Sequence, residues 1–162
     1  MNRIFTATDL QAYMEKQGIL GEILILDVPT PTVEAAAQAV GVQARQIVKS
    51  VLFNVLDEAV LTISCGDQLV ERRVIGTLYS VSRKRVKLAS SEMVLDLTGY
   101  AVGTVPPFGH REHLETLLDH RVLEFTEVYA GGGSHNALVR LNPQDILRIT
   151  QANVIDLHTR PT

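Results

Sequence analysis

The amino-acid sequence predicts an α/β fold of the mixed, α+β kind, with helices around a mixed sheet able to curl into a barrel. Three observations carry that reading. Residues 47–54 (IVKSVLFN) and 59–65 (AVLTISC) are two strongly apolar runs joined by a short acidic turn at Asp57 and Glu58, the pattern of paired strands. Helical stretches flank them without the steady strand–helix–strand rhythm of a doubly wound sheet. Between Gly99 and Gly109 (GYAVGTVPPFG), three glycines and two prolines fall within eleven residues. Pro106 and Pro107 lack backbone donors and fix their own φ, so neither a regular helix nor a central strand passes through them. Tyr100, Val102, Val105 and Phe108 are nevertheless too apolar for a loop in solvent. The segment therefore reads either as a rigid, partly buried wall whose peptide N–H groups face a ligand, or as a plain crossover with a turn.

The remaining elements follow in order. Thr8 and Gln11 have capping-box spacing, Leu10, Tyr13 and Met14 share a helical face, and Gly18 is a stop. Residues 22–28 (EILILDV) read as a strand buried on both faces. Thr30, Pro31 and Thr32 open a helix whose Val33, Ala36, Ala37 and Val40 fall on one side, and Gly41 ends it. Gly66 and Asp67 begin another, with Val70, Val74 and Leu78 inward. Residues 86–89 form a short strand, Ser90, Ser91 and Glu92 cap a helix running through Leu97, and residues 114–118 suit strand or helix equally. Residues 123–130 and 136–141 read as a hairpin about the glycines at 131–133. Asn142 and Pro143 cap a last helix, and a strand follows near 153–157.

The totals narrow the function classes. A chain of 162 residues suits one domain, and 46% hydrophobic with 20% charged residues describes a globular protein. Fifteen basic against eighteen acidic residues, net −3, exclude a general polyanion-binding coat but not a local basic patch. A single cysteine forms no internal disulfide, which suits a reducing cytosol. The N-terminus carries charge throughout, without a signal-peptide core, and no window reaches the length of a membrane span. The expectation is a cytoplasmic protein with no membrane partner.

Several residues could carry chemistry. Lys49 falls between Ile47 and Val51 on an apolar strand face, where an ammonium needs water, a carboxylate or an anionic ligand. It either holds a phosphate or ribose oxygen or polarises a carbonyl; otherwise it guards an edge strand or snorkels to solvent. Gly131, Gly132 and Gly133, followed by Ser134 and His135, let backbone approach a substrate closely, or form a long flexible hairpin tip. A strand follows them, so a Walker or Rossmann phosphate loop does not fit. Cys65, in phase with Ala59, Leu61 and Ile63, reads as a buried hydrophobe before a nucleophile. His110, His113 and His120 lack further ligands at metal-site spacing, so no metal is expected. Arg83, Lys84 and Arg85, with Lys87 and joined by Arg72 and Arg73, form either a phosphate-binding patch or a solvated basic turn.

Taken jointly, TPTVEAAAQAVGV, QIVKSVLF, LTGYAVGTVPPFGH and VYAGGGSHNALVRLNPQDILRI resemble the YbaK/prolyl-tRNA-synthetase-associated family in order and spacing, from about Thr30 to Ile149. That family comprises freestanding aminoacyl-tRNA deacylases and the editing insertion of bacterial prolyl-tRNA synthetases. The resemblance implies a single editing domain over residues 1–162, with a curved, barrel-like sheet wrapped by helices. It also implies hydrolysis of the ester of a mischarged tRNA, with no cofactor and with an aminoacyl-tRNA synthetase as a possible partner. By position it assigns catalytic roles to Lys49 and Gly103. Substrate contacts fall to Gly131, Gly132, Gly133 and His135, with Thr104, Pro107, Phe108 and Ser134 expected beside them; the basic run Arg83, Lys84 and Arg85, read from its own charge, is the candidate for tRNA phosphate contacts. Thr104 stands where many relatives carry a second glycine, and Ser134 and His135 also vary among them, so these positions bear on which aminoacyl group is accepted. A catalytically silent tRNA- or synthetase-binding module of the same fold, and a hydrolase using Cys65, remain alternatives.

Overall fold

The computed structural model describes residues 3–159. Helix α1 (Ala7–Gln17) begins earlier than the Thr8 cap expected from sequence, because the Thr6 N–H donates to Asp9 Oδ2 at 2.8 Å and closes the first turn there. Strand β1 (Gly21–Ile25) follows, then α2 (Val33–Val40), capped by the Thr32 side chain on Ala35 N–H and ended by Gly41. Strands β2 (Ile47–Val55) and β3 (Glu58–Cys65) form the central hairpin. Helix α3 (Arg72–Leu78), strand β4 (Val86–Leu88) and α4 (Ser91–Thr98) precede the glycine–proline segment. The stretch left open between strand and helix is strand β5 (Glu115–Asp119). Strands β6 (Val128–Gly131) and β7 (Ala137–Leu141), helix α5 (Pro143–Thr150) and β8 (Asn153–Ile155) complete the order.

The eight strands of the described residues join one mixed sheet in the order β1-β7-β6-β2-β3-β5-β8, with β4 attached separately to β2. The path does not return on itself. The sheet is open, a correction to the barrel-like closure suggested by the family resemblance: β1 and β8 end the path without pairing to each other. Strand β1 is also less covered than expected. It pairs only with β7, leaving Ile25 64% exposed, because residues 22–28 lie at the rim and not between two layers.

Side-chain alternation along β2 assigns the layers. Val48 and Leu52 point into a core with Leu61, Ile63, Leu118, Val139 and Leu141, closed by Leu10 and Met14 of α1, Val94 of α4 and Ile146 of α5. On the opposite face, Ile47 packs with Ala36 and Ala37 of α2, whose small side chains bring that helix close to the sheet. Phe53 and Val55 pack with Ile75 of α3. Lys49 lies on this second face, between the residues under α2 and those under α3.

The feature that positions the site is a gap beside β2. One edge of β2 pairs with β3 from Val48 to Val55. The other edge is shared: β6 runs parallel to Ile47 and Val48, and β4 runs antiparallel to residues 53–55. Among the described residues, no strand lies beside residues 49–52 on that edge.

Candidate active site

A pocket of about 370 Å³ fills this gap. Lys49, Ser50 and Leu52 of β2 form its floor, Thr32 and Ala36 of α2 one wall, and Leu88 and Ala89 at the end of β4 another. Gly103 and Val105 close it from the glycine–proline segment, and Gly131 and Leu138 from the β6–β7 hairpin. The lining is largely aliphatic, with few polar groups, as in sites that enclose a small organic moiety and orient it by a handful of hydrogen bonds.

Two turns, distant in sequence, are fastened together at this wall. Residues 101–104 form a β-turn in which the Thr104 N–H and hydroxyl both donate to the Ala101 carbonyl, at 3.0 and 2.8 Å. Gly103 occupies the third position with φ 90°, the sign that a type II turn requires there and that a side chain disfavours. Its N–H donates to no carbonyl or side chain among the described residues. The Gly133 N–H donates to the Thr104 carbonyl at 3.0 Å, which ties the glycine run to the turn. Gly131 is needed for proximity: a β-carbon there would collide with the Val105 carbonyl oxygen.

Lys49 is half-buried, and its Nζ donates to the Gln68 carbonyl at 2.9 Å. Desolvation lowers its pKa, opposed by the charges of Asp67 and Glu34. The ammonium is therefore held at the pocket wall by a backbone carbonyl, within the field of two carboxylates.

Of the other residues singled out in the sequence, Gly131 lines the pocket and Gly132 packs against the Ala137 backbone. The Ser134 hydroxyl accepts the Ala7 N–H at 3.0 Å, capping α1 from across the chain. His135 is exposed above Gly103, its Cε1 4.0 Å from where a β-carbon of residue 103 would lie. Thr104 and Pro107 are buried behind the lining. Phe108 stacks on Tyr13, centroids 5.9 Å apart, and borders a second pocket of about 230 Å³ with His110 and His113. Arg83–Arg85 is an exposed 3₁₀ turn leading into β4, so the basic residues stand upstream of the pocket rim at Leu88. Arg72 is otherwise engaged, over the Phe53 ring at 5.7 Å.

Cys65 is buried in the main core, and burial, reinforced by the Asp119 and Asp67 charges, pushes its thiol up to about 11. A thiol held protonated in that way is a poor nucleophile. The three histidines do not converge, since His120 lies apart from the second pocket. It stands beside Asp119 and Asp156, with candidate donor atoms within 4.8 Å of one another, but the Arg121 guanidinium bridges the two carboxylates. The sequence reading missed two features. Ser50 shares the pocket floor, signalled only by a hydroxyl residue within an apolar strand. The Asp119–Arg121–Asp156 cluster joins residues up to 37 positions apart and had no local signal.

The model of the aminoacyl-tRNA editing domain matches residues 27–149, which take in β2, both fastened turns and the whole pocket lining. The chain belongs to this family. It is 30% identical over 124 residues to the multifunctional Ser/Thr-tRNA deacylase ProXp-y of Escherichia coli (strain K12), covering 76% of this chain and 73% of that one. It is 27% identical over 134 residues to a proline–tRNA ligase of Bacillus cereus (strain G9842), covering 80% of this chain but 23% of the ligase. A crystal structure described as a candidate trans-editing enzyme for prolyl-tRNA synthetase superimposes with a TM-score of 0.87 at 36% identity, over 94% of this chain and 96% of that one. Membership in the editing-domain family points to aminoacyl-tRNA as the substrate class and to deacylation as the reaction. No helix among the described residues is long and apolar enough to cross a membrane.

Proposed function

We propose that this editing domain acts in trans, as a single unit in the cytoplasm, hydrolysing mischarged tRNA that carries a small amino acid such as alanine, cysteine, serine or threonine. The tRNA is that for proline or a related one, and the synthetase that misloads it is the natural partner. The observation that carries the reading is the meeting of Lys49, Gly103 and Gly131 on one small pocket, although they lie far apart in the chain. An aminoacyl ester is already reactive, so the site has to position water and stabilise the developing oxyanion. The Gly103 N–H, carrying no other bond, receives the carbonyl oxygen. Lys49 leaves the Gln68 carbonyl to anchor the terminal adenosine or its phosphate, and the ribose hydroxyl next to the ester helps activate the water. Water adds to the carbonyl carbon, the bond to the ribose oxygen breaks, that oxygen takes a proton, and the free amino acid leaves.

The aliphatic walls at Ala36, Val105 and Leu138 select by size, the sieving a synthetase site cannot achieve for a single methylene or hydroxyl. Thr104, Pro107, Gly132, Gly133, Ser134 and His135 shape the wall from behind or at its rim, and Arg83, Lys84 and Arg85 meet tRNA phosphates. The test is a panel of alanyl-, cysteinyl-, seryl- and threonyl-tRNA, assayed for amino-acid release by the wild type and by Lys49→Ala. At least one member should be turned over, and the variant should lose about a hundredfold or more in rate with an unchanged circular dichroism spectrum. Full activity in the variant removes Lys49 from the mechanism. Tight tRNA binding without turnover of any panel member identifies a silent binding module instead.

A further inference from the structure

The floor of the pocket is an unfinished strand edge, and its hydrogen-bonding groups can be assigned. The Ala89 N–H donates to the Leu52 carbonyl at 3.0 Å, so Leu52 directs its backbone groups toward the gap. Thr62 Oγ1 of β3 donates to the Val51 carbonyl at 3.0 Å, so Val51 directs its groups the opposite way. Backbone groups alternate along a strand. The N–H and C=O of Ser50 therefore both face the gap, beyond the last residue paired with β6 and before the first paired with β4. The Ser50 hydroxyl is buried and has no hydrogen-bond partner among the described residues. Such a group is destabilising unless something supplies a partner.

Two residues facing each other in an antiparallel ladder exchange both hydrogen bonds, N–H to C=O each way. An aminoacyl ester in extended form carries the same pair of functions, an amino donor and a carbonyl acceptor on either side of one α-carbon. We propose that the open edge of β2 at Ser50 receives the substrate's amino acid as if it were one more strand residue. The α-ammonium donates to the Ser50 carbonyl, the ester carbonyl accepts from the Ser50 N–H, and the oxygen of the buried Ser50 hydroxyl accepts a hydrogen bond from a second ammonium N–H. The ester carbonyl is then held by the Ser50 and Gly103 N–H groups together. The pocket thereby reads the free α-ammonium shared by all aminoacyl-tRNAs, while its aliphatic walls read the side chain. This inference rests on the deacylase reading and adds to it a requirement for an unblocked amino group.

The experiment compares each panel aminoacyl-tRNA in three forms: free, N-acetylated, and deaminated to the α-hydroxyacyl ester. Each rate is divided by the uncatalysed hydrolysis rate of the same ester. The wild type should lose about tenfold or more in kcat/KM on both altered forms, the scale of a charge-assisted hydrogen bond. Ser50→Ala should narrow the preference for the free over the deaminated form, and Ser50→Thr, which keeps the hydroxyl, should retain it. Equal relative rates on all three forms in the wild type overturn the inference without reference to any variant. A Ser50→Ala enzyme that keeps the full wild-type preference overturns it as well. Failure to hydrolyse any form of any panel member removes the deacylase reading, and this inference with it.

Discussion

Asp119 provides the sharpest test of what holds the backbone carbonyl that Lys49 donates to. Its carboxylate is 0% exposed at the end of β5. Oδ1 accepts the Arg121 N–H at 2.9 Å, while Oδ2 accepts Arg121 Nη1 at 3.0 Å and the Leu157 N–H at 2.8 Å. The C-terminal segment pinned in this way carries two further bonds. The Leu157 carbonyl accepts the Glu71 N–H at 2.7 Å, and the His158 ring bonds the Leu69 carbonyl at 2.7 Å. Next to Leu69 is Gln68, whose carbonyl holds Lys49. Replacing Asp119 with alanine strands the buried Leu157 N–H, worth about 1–3 kcal/mol, and removes a charged partner from Arg121. Breaking a fully buried pair costs about 3–5 kcal/mol. Arg121 retains Asp156 and is partly exposed, so the lower end applies, about 3 kcal/mol. At roughly 2–4 °C per kcal/mol for a chain of this size, the melting temperature should fall by roughly 6–12 °C. Urea unfolding followed by circular dichroism measures the loss, and deacylation at 25 °C should fall by more than the folded fraction explains. A loss below about 1 kcal/mol would show that the carboxylate does not hold the C-terminal segment, and would sever the link drawn from it to Lys49.

Four other outcomes are expected. Burial pulls the His110 pKa from 6.5 down to about 4, so between those values the unfolded chain binds the extra proton and stability falls as the pH falls. The loss should be on the order of 3 kcal/mol and complete below about pH 4, and His110→Asn should flatten the slope in urea titrations. Asp156, held below the usual carboxylate range chiefly by its hydrogen bonds from Arg121, adds its own loss only beneath that window. Gly131→Ala should destabilise by about 1–3 kcal/mol and slow deacylation, because its β-carbon meets the Val105 carbonyl. Gly103→Ala, whose β-carbon would make only an ordinary contact with His135 Cε1 at 4.0 Å, should cost only about 1 kcal/mol of backbone strain by thermal melting. Cys65→Ala should keep its deacylation rate within about twofold, and iodoacetamide should not label the native thiol, whose pKa is pushed up by burial.

Local chemistry made much of this fold legible. Thr32 and Gly41 bounded α2, and the two apolar runs with their acidic turn gave β2 and β3, because caps and hairpins are specified by neighbours in sequence. The Lys49 position between Ile47 and Val51 was readable for the same reason, since strand alternation needs no tertiary information. What was not readable depends on which strands meet. The gap at residues 49–52 exists because β6 stops at one end of β2 and β4 begins at the other, and β6 is separated from β2 by more than 70 residues. Ser50 gained its interest only from that gap. Phe108 looked like a wall of the pocket from its neighbours Pro106 and Pro107, but its ring turns to stack on Tyr13 of α1, a contact no spacing rule foretells. The same holds for Ser134, whose hydroxyl is taken by the start of α1 127 residues away.

An incomplete sheet margin ordinarily invites association, since its bare amides can recruit a strand from a neighbouring molecule and seed aggregates. The recess at Ser50 escapes that hazard by being short: β6 and β4 bracket four residues, and α2 stands along the opening. A foreign polypeptide would have to end within the notch to use it, whereas a single residue tethered to a nucleic-acid terminus needs no room beyond. The same brevity lets the protein keep unsatisfied backbone on offer without becoming adhesive.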